Sequence, residues 1–215
     1  MKADDILQRL SDIGIIPVIS LEGSTSAVAL AQALSAGSVP CIEITLRTDN
    51  ALSAIENIAS ALPDIIVGAG TVLDTKNAKR ALSAGAKFIV SPGLDNEVVD
   101  WCLEHDLAII PGAVTPSEIM AAMKLGIQTI KYFPAEQMGG VAAVKALSAP
   151  FPTVRFVVTS GMNLDTIGQY LRLPAVAACG GSWLATNAMI AANDFDKITE
   201  ISQRSVEIVR AARND

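Results

Sequence analysis

The chain has 215 residues, of which 51% are hydrophobic and only 4% aromatic, so its core must be built mainly from Ala, Val, Ile and Leu. With 18% charged residues, a net charge of −6 and no basic block, the composition excludes a disordered chain and a nucleic-acid-binding protein. An anionic ligand would meet a mildly repulsive overall field, so its site would need local cations or backbone amides.

The cysteines and the uncharged stretches indicate the compartment. Cys41, Cys102 and Cys179 are odd in number and lack paired or metal-ligand spacing, so we expect reduced thiols in the core. The first residues lead into an amphipathic segment rather than a signal peptide. The stretch 173–193 contains Pro174 and a Gly-Gly-Ser sequence that would break a membrane-spanning helix. We therefore expect a cytoplasmic protein with no membrane partner.

Apolar runs of strand length alternate with helix-length segments along the chain. The predicted strands cover residues 15–19, 41–46, 65–69, 88–90, 107–110, a sixth run that contains Lys131, 154–158 and 176–179. The predicted helices cover residues 4–12, 96–105, 116–125, 140–147, 164–171, 183–192 and 196–212, with three more between the first four strands.

The boundaries of two of these three helices carry capping signals. Ser24 and Thr75 are predicted N-cap residues. The pentapeptide ALSAG occurs twice, and its glycines, Gly37 and Gly85, are predicted to supply left-handed residues after helix C-termini. The internal echo supports a repeating strand–helix unit.

Eight such units in a chain of this length predict a (β/α)₈ barrel, a single domain over residues 1–215 with an extra N-terminal helix. The alternative is a doubly wound open sheet, which would normally begin with a glycine-rich turn. The turn at residues 20–24 has one glycine and no dinucleotide fingerprint, which favours the barrel. In a barrel, the active site lies at the C-terminal ends of the strands.

Lys131 interrupts the sixth apolar run, and Pro134 closes that run. One interpretation is a lysine on an edge strand whose amine reaches water. The other is an amine that burial disfavours in its charged form, so that it attacks a carbonyl and forms a Schiff base. A closed barrel has no edge strand, which favours the second interpretation.

Glu43 lies between two isoleucines of strand two and shares a strand face with Thr45 and Arg47. It is either half of a structural ion pair or a general acid/base tuned by burial and a nearby cation. Arg47, at the strand's end, is either a surface arginine or a two-pronged donor to a carboxylate.

Small residues end strands seven and eight, as Thr159-Ser160-Gly161 and Gly180-Gly181-Ser182. They are either tight strand–helix turns or a phosphate site built from backbone N–H groups and helix N-termini, which barrels often place at these two strands. A phosphorylated ligand is the favoured interpretation. No metal site is expected, because His105 is the sole histidine and the cysteines lack ligand spacing.

Six motifs along the chain carry a resemblance to a known family. They are EITLRT at 43–48, GAGTVL at 68–73, SPG at 91–93, IPG at 110–112, KYFPAE at 131–136 and GGSWL at 180–184. Together, and in this order, they resemble the 2-keto-3-deoxy-6-phosphogluconate (KDPG) aldolase / 4-hydroxy-2-oxoglutarate aldolase family. The similarity runs from about residue 15 to the C-terminal helix.

The resemblance implies a class I aldolase of the Entner–Doudoroff pathway, a homotrimer of (β/α)₈ barrels without a metal or other cofactor. It would cleave KDPG, a phosphorylated 2-keto acid, to pyruvate and glyceraldehyde 3-phosphate. The implied Schiff-base lysine is Lys131 and the implied general acid/base is Glu43. The implied substrate contacts are Arg47 and Thr71 for the carboxylate, Pro92 and Phe133 for the pocket wall, and Thr159, Ser160, Gly161, Gly180, Gly181 and Ser182 for the phosphate.

One position departs from the family, which often has Thr-Gly-Gly after strand seven where this chain has Ser160. Serine keeps the backbone N–H and adds a hydroxyl, but it could crowd a phosphate or require a conformation that glycine accepts more easily. The departure bears on substrate preference. The alternatives are an aldolase that prefers 4-hydroxy-2-oxoglutarate (giving pyruvate and glyoxylate) or 2-keto-3-deoxy-6-phosphogalactonate and, more distantly, a non-catalytic phosphosugar-binding barrel.

Overall fold

The computed structural model describes residues 2–22 and 26–214. The strands are β1 (Ile15–Ile19), β2 (Cys41–Thr45), β3 (Ile66–Gly70), β4 (Phe88–Val90), β5 (Ala108–Ile110), β6 (Thr129–Tyr132), β7 (Arg155–Thr159) and β8 (Val176–Gly181). The helices are α1 (Ala3–Ile13), α2 (Ala27–Ala36), α3 (Ala51–Ala61), α4 (Thr75–Ser83), α5 (Asn96–Glu104), α6 (Pro116–Lys124), α7 (Gly140–Ser148), α8 (Ile167–Leu171), α9 (Asn187–Ala191) and α10 (Phe195–Asn214).

The predicted barrel is confirmed. Neighbouring strands pair in parallel in the order β5-β4-β3-β2-β1-β8-β7-β6. The remaining gap, between β5 and β6, is closed beside Lys131. Its N–H donates to the Pro111 carbonyl at 2.8 Å, and its carbonyl accepts from the Ala113 N–H at 3.0 Å. These two bonds close the sheet into a barrel and exclude the doubly wound alternative.

Two helices begin later than predicted, and the Asn163 and Thr186 side chains accept backbone hydrogen bonds near their starts. Before α8, the Asn163 side-chain oxygen accepts from the N–H groups of Asp165 at 2.8 Å and Thr166 at 3.1 Å. Before α9, the Thr186 hydroxyl accepts from the Met189 N–H at 3.3 Å. The turns after β7 and β8 are therefore longer than the sequence predicts.

The predicted caps are partly wrong. Asp74, not Thr75, is the N-cap of α4, and its carboxylate accepts from the Asn77 N–H at 2.7 Å. An ionised carboxylate is the stronger acceptor for a free helix amide, which accounts for the one-residue shift. The predicted cap Ser24 lies outside the described residues.

The two glycines of the ALSAG repeat have different roles. Gly85 has the predicted left-handed backbone, with φ +96°. Gly37 has φ −81°, and the next residue, Ser38, is left-handed instead, with φ +65°. Gly37 is needed for packing, since a Cβ there would overlap with the Ser202 side chain on α10. Tertiary contact, not backbone conformation, explains why residue 37 is a glycine.

The N-terminal end of the barrel is closed by α1, which contacts β1, β5 and β8 and buries Ile6 and Leu10. From α10, the Arg213 guanidinium donates to the carbonyls of Ser11 at 2.7 Å, Asp12 at 3.0 Å and Ala177 at 2.8 Å. A cation at these carbonyls also complements the negative end of the α1 dipole. Arg213 thus connects α1, α10 and β8.

The core has the composition that the sequence predicts. All three cysteines are buried and free, as expected. Within residues 2–22 and 26–214, no helix is both long enough and apolar enough to cross a membrane.

Candidate active site

Two buried charges from opposite sides of the barrel meet in its interior. Lys131 Nζ, from β6, lies 3.8 Å from Glu43 Oε1, from β2, and the two side chains are 9% and 4% exposed. These strands are not neighbours in the sheet, so the ion pair crosses the barrel lumen. Lys131 does not extend to solvent, and the edge-strand interpretation is wrong.

Glycine makes the space for the Glu43 carboxylate. A Cβ at Gly70, the partner of Thr45 in the β2–β3 register, would overlap with Glu43 Oε1. Gly70 ends β3 and belongs to the GAGTVL motif, but its packing role is not predicted from the sequence. The usable signal is a glycine within an apolar strand, which often marks a close approach of another group.

The environment of Glu43 favours its neutral form. Burial raises the pKa of the carboxyl above its usual range, and the positive charges of Lys131 and Arg47 oppose this shift. Among the described residues, no group hydrogen-bonds Oε1, since 3.8 Å to Lys131 Nζ is an ion-pair distance rather than a hydrogen bond. A buried carboxyl with a free oxygen is able to exchange a proton with a bound hydroxyl or water.

The predicted carboxylate contacts follow β2 and β3. The Arg47 Nε–H donates to the Thr45 hydroxyl at 3.2 Å, and that hydroxyl donates to the Ile19 carbonyl at 3.2 Å. Thr45 therefore links the arginine to two strands of the barrel. Thr71, directly after β3, has a left-handed backbone, with φ +57°. Its position at the strand's end depends on a conformation that the sequence does not reveal.

The predicted wall residues also lie at this end of the barrel. Phe133 follows β6, is 39% exposed, and its ring centroid lies 5.3 Å from Lys131 Nζ. Pro92 follows β4, and a Cβ at Gly112 would overlap with the Pro92 carbonyl. The described contacts join Phe133 directly to the lysine, while Pro92 packs against the segment that closes the barrel.

The segments after β7 and β8 differ from the predicted strand–helix turns. Thr159 ends β7, and Ser160 and Gly161 are consecutive left-handed residues, with φ +87° and +82°. Gly180 and Gly181 are the last residues of β8, so only Ser182 lies beyond the strand. Thr159 lies beside Gly180, where an added Cβ would come within 2.9 Å of the threonine hydroxyl.

The helices after these two segments begin further along the chain than predicted. α8 begins at Ile167 and α9 at Asn187, so neither helix N-terminus directly follows its turn. The left-handed turn offers successive backbone N–H groups, an arrangement that forms anion-binding concavities in proteins. The six residues predicted to hold a phosphate thus lie together at adjacent strand ends, without a helix directly behind them.

A family model described as KDPG and KHG aldolase matches residues 6–201. The chain belongs to the KDPG and KHG aldolase family. The 2-dehydro-3-deoxy-phosphogluconate aldolase of Treponema pallidum is 45% identical over 204 residues, which cover 95% of this chain and 97% of that protein. The KHG/KDPG aldolase of Escherichia coli K12 is 42% identical over 193 residues, which cover 90% and 91% of the two chains.

A solved member of the KDPG and KHG aldolase family has the same fold. The crystal structure of KDPG aldolase from Legionella pneumophila aligns with a TM-score of 0.89 and 36% identity, covering 92% of this chain and 96% of that one. In that protein, pyruvate was captured at low pH as a covalent carbinolamine intermediate. The family resemblance inferred from the six motifs is confirmed.

In the present structure, three residues near the candidate active site are not predicted from the sequence. They are Glu136, Gln137 and Tyr170. Ser160 Oγ donates to Gln137 Oε1 at 3.2 Å, and the Tyr170 hydroxyl donates to Glu136 Oε1. Glu136 and Gln137 belong to the segment after β6, and their contacts depend on how β6 and β7 are placed. No pattern of residue spacing in the sequence indicates these contacts.

Proposed function

We propose that this protein is a class I aldolase that cleaves KDPG to pyruvate and glyceraldehyde 3-phosphate, without a metal or other cofactor. The observation that carries the proposal is the Lys131–Glu43 pair, buried at 3.8 Å inside the barrel. A lysine enclosed with a neutral-leaning carboxyl is suited to form an imine and to move protons around it.

The mechanism follows from these two groups. The Lys131 amine adds to the C2 ketone, and loss of water gives an iminium. Glu43, directly or through water, takes the proton of the C4 hydroxyl as the C3–C4 bond breaks. The electron pair of that bond moves into the iminium and forms an enamine, and glyceraldehyde 3-phosphate leaves. Protonation at C3 and addition of water then release pyruvate and the free lysine.

The remaining residues are assigned to the two ends of the substrate. Arg47 and Thr71 would hold the carboxylate next to the ketone, and Pro92 and Phe133 would form the wall. The phosphate would bind at the ends of β7 and β8, which hold Thr159, Ser160, Gly161, Gly180, Gly181 and Ser182. The left-handed pair Ser160 and Gly161 supports this assignment, because successive N–H groups in such turns converge on an anion.

Borohydride reduction in the presence of pyruvate tests the central claim. The expected product is a reduced pyruvate adduct on the peptide that contains Lys131, identified by mass spectrometry. The matched control is the Lys87→Ala variant, since Lys87 is a second partly buried lysine at the opposite end of the barrel. An adduct on Lys87 alone, or none on Lys131, would overturn the proposal.

A second candidate function is an aldolase of the same mechanism that prefers 4-hydroxy-2-oxoglutarate or the galactonate epimer of KDPG. Ser160 favours keeping this alternative, since it places a strained side chain at the proposed phosphate turn. The values of kcat/KM for the three substrates, measured side by side, decide between them. Preference for the unphosphorylated acid would reassign the protein to the second function.

We further propose that each chain is one barrel domain and that three copies assemble as a homotrimer in the cytoplasm. The family resemblance supports this assembly, and exposed apolar side chains such as Leu73, Met120 and Met123 are candidates for burial at an interface. Sedimentation equilibrium is expected to give three times the mass of the chain. A monomeric mass at micromolar concentration would contradict the trimer.

A further inference from the structure

Residues 135–137, in the loop between β6 and α7, contact the last residue of β7 and the two residues that follow it. The Ala135 N–H donates to the Thr159 carbonyl at 2.9 Å. Gln137 Oε1 accepts from the Ser160 hydroxyl at 3.2 Å. Glu136 packs against Gly161 so closely that a Cβ on that glycine would overlap with Glu136 Cγ. The 135–137 segment therefore lines one whole side of the β7 turn.

Glu136 is itself fixed from a third element. The hydroxyl of Tyr170, on α8, donates to Glu136 Oε1. Tyr170 is buried, and burial, with the hydrogen bond and charge of Glu136, raises the pKa of its phenol, so the hydroxyl stays a donor. The glutamate side chain is thus held between α8 and the β7 turn.

The β7 turn needs such support. A residue other than glycine in the left-handed region is disfavoured by about 1–2 kcal/mol, and Ser160 has φ +87°. Its neighbour Gly161, with φ +82°, loses more conformational freedom on folding than any other residue type. Two such residues in succession do not hold their amides in one orientation without outside contacts.

We propose that Glu136 is a positioning residue for the phosphate end of the substrate, which it controls through Gly161 while contacting no reacting atom. This inference rests on the proposed function, because it requires the β7 turn to bind a phosphate. Glu136 acts by shape and by its hydrogen bond from Tyr170, and its charge is not needed. Substrates that end in a phosphate depend on it, and substrates without a phosphate do not.

Steady-state kinetics on KDPG and on 4-hydroxy-2-oxoglutarate test the proposal. Glu136→Ala is expected to raise KM for KDPG about tenfold, with kcat and the KM for 4-hydroxy-2-oxoglutarate changed less than about twofold. Glu136→Gln keeps the volume and the acceptor for Tyr170, so it should restore most of the KM for KDPG. Tyr170→Phe, which leaves Glu136 without its donor, should lie between the two.

Thr199→Ala is the matched control for lost stability. It removes one hydrogen bond, from the Thr199 hydroxyl to the Ala33 carbonyl at 2.9 Å, at the far end of the barrel. Its ratio of kcat/KM for the two substrates should equal that of the wild type. If Glu136→Ala does not fold, the Tyr170→Phe and Glu136→Gln variants carry the same test.

Two results would overturn the inference. One is an equal loss on both substrates in Glu136→Ala and Tyr170→Phe, and the other is a Glu136→Gln variant as impaired as Glu136→Ala. Trapping of pyruvate on wild-type Lys131 separates this failure from that of the proposed function, because pyruvate carries no phosphate. A trapped adduct with an unmoved substrate ratio refutes the role of Glu136 alone.

Discussion

The two ends of the barrel use the same eight strands for opposite purposes. At the N-terminal end, α1 covers the lumen with Ile6 and Leu10, and the Arg213 guanidinium donates to three backbone carbonyls. At the C-terminal end, Glu43 and Lys131 are buried with an unbonded carboxylate oxygen between them. One end satisfies its polar groups, and the other leaves them available.

This difference shows where a barrel can place unfavourable groups. Burying a charge or an unpaired acceptor destabilises the fold by an amount that good packing elsewhere must offset. The closed end supplies packing and satisfied hydrogen bonds, so the open end can hold a buried carboxyl whose pKa is raised. Each of the following substitutions should affect one end and spare the other.

The largest expected effect is the loss of catalysis in Lys131→Met. Removing the amine should lower kcat by about four orders of magnitude or more, since no other group forms the imine. Loss of the positive charge of Lys131 raises the pKa of Glu43 further and so favours the uncharged carboxyl, and the free energy of unfolding should change by less than about 2 kcal/mol. The control is Lys87→Met at the closed end. Lys87 Nζ donates to the Ile65 carbonyl at 3.1 Å, so this variant should lose stability but not kcat.

Arg213→Ala should show the reverse pattern. Loss of three charge-assisted hydrogen bonds, two to the end of α1 and one to β8, should lower the free energy of unfolding by about 1–3 kcal/mol. Urea denaturation measures this, and kcat measured in the same preparation should match that of the wild type. A loss of kcat with unchanged stability would mean that the two ends are coupled.

Glu43→Gln should alter how stability depends on pH. Because the folded pKa of Glu43 is raised, its contribution is fully present below the ordinary glutamate pKa and is lost as pH rises through the folded value. Above pH ~4.3, wild-type stability should therefore fall relative to Glu43→Gln, by at most about 1.4 kcal/mol per pH unit. Urea titrations at several pH values measure the difference, and a difference that does not change with pH would contradict the prediction.

The smallest expected effect distinguishes the cost of the positive φ at Ser160 from the loss of the hydrogen bond of its hydroxyl. Both Ser160→Ala and Ser160→Gly lose the hydrogen bond to Gln137, but only glycine relieves the positive φ. Ser160→Gly should therefore be more stable than Ser160→Ala by about 1 kcal/mol in thermal unfolding. At Ser53, within α3, the order should reverse by a similar amount. Equal stabilities of Ser160→Gly and Ser160→Ala would mean that the turn is unstrained.

Much of this molecule is predictable from its sequence because its signals are local. Eight apolar runs predict eight strands, and a charge within such a run, at Glu43 and Lys131, identifies the interior of the barrel. Parallel strands bring their C-terminal ends together, so the two side chains are expected at one end even though β2 and β6 are not neighbours. Their pairing follows from topology.

The unpredicted features depend on contacts between distant elements. Gly37 is a glycine because α10 packs against it, and Gly70 because Glu43 needs its space. The left-handed conformation of Ser160 goes against its local preference and is supported by Gln137 and Glu136 on another loop. Such residues are chosen by the assembled fold, so no window of sequence around them reports their role.

The closure of the barrel at Lys131 has a consequence for local opening of the fold. Both backbone bonds that join β5 to β6 across the gap use the peptide groups of the lysine itself, through Pro111 and Ala113. Local opening of the barrel between β5 and β6 would release the backbone that orients the amine of Lys131. Amide hydrogen exchange at Lys131 and Ala113 would therefore report the same opening event as transient loss of the nucleophile.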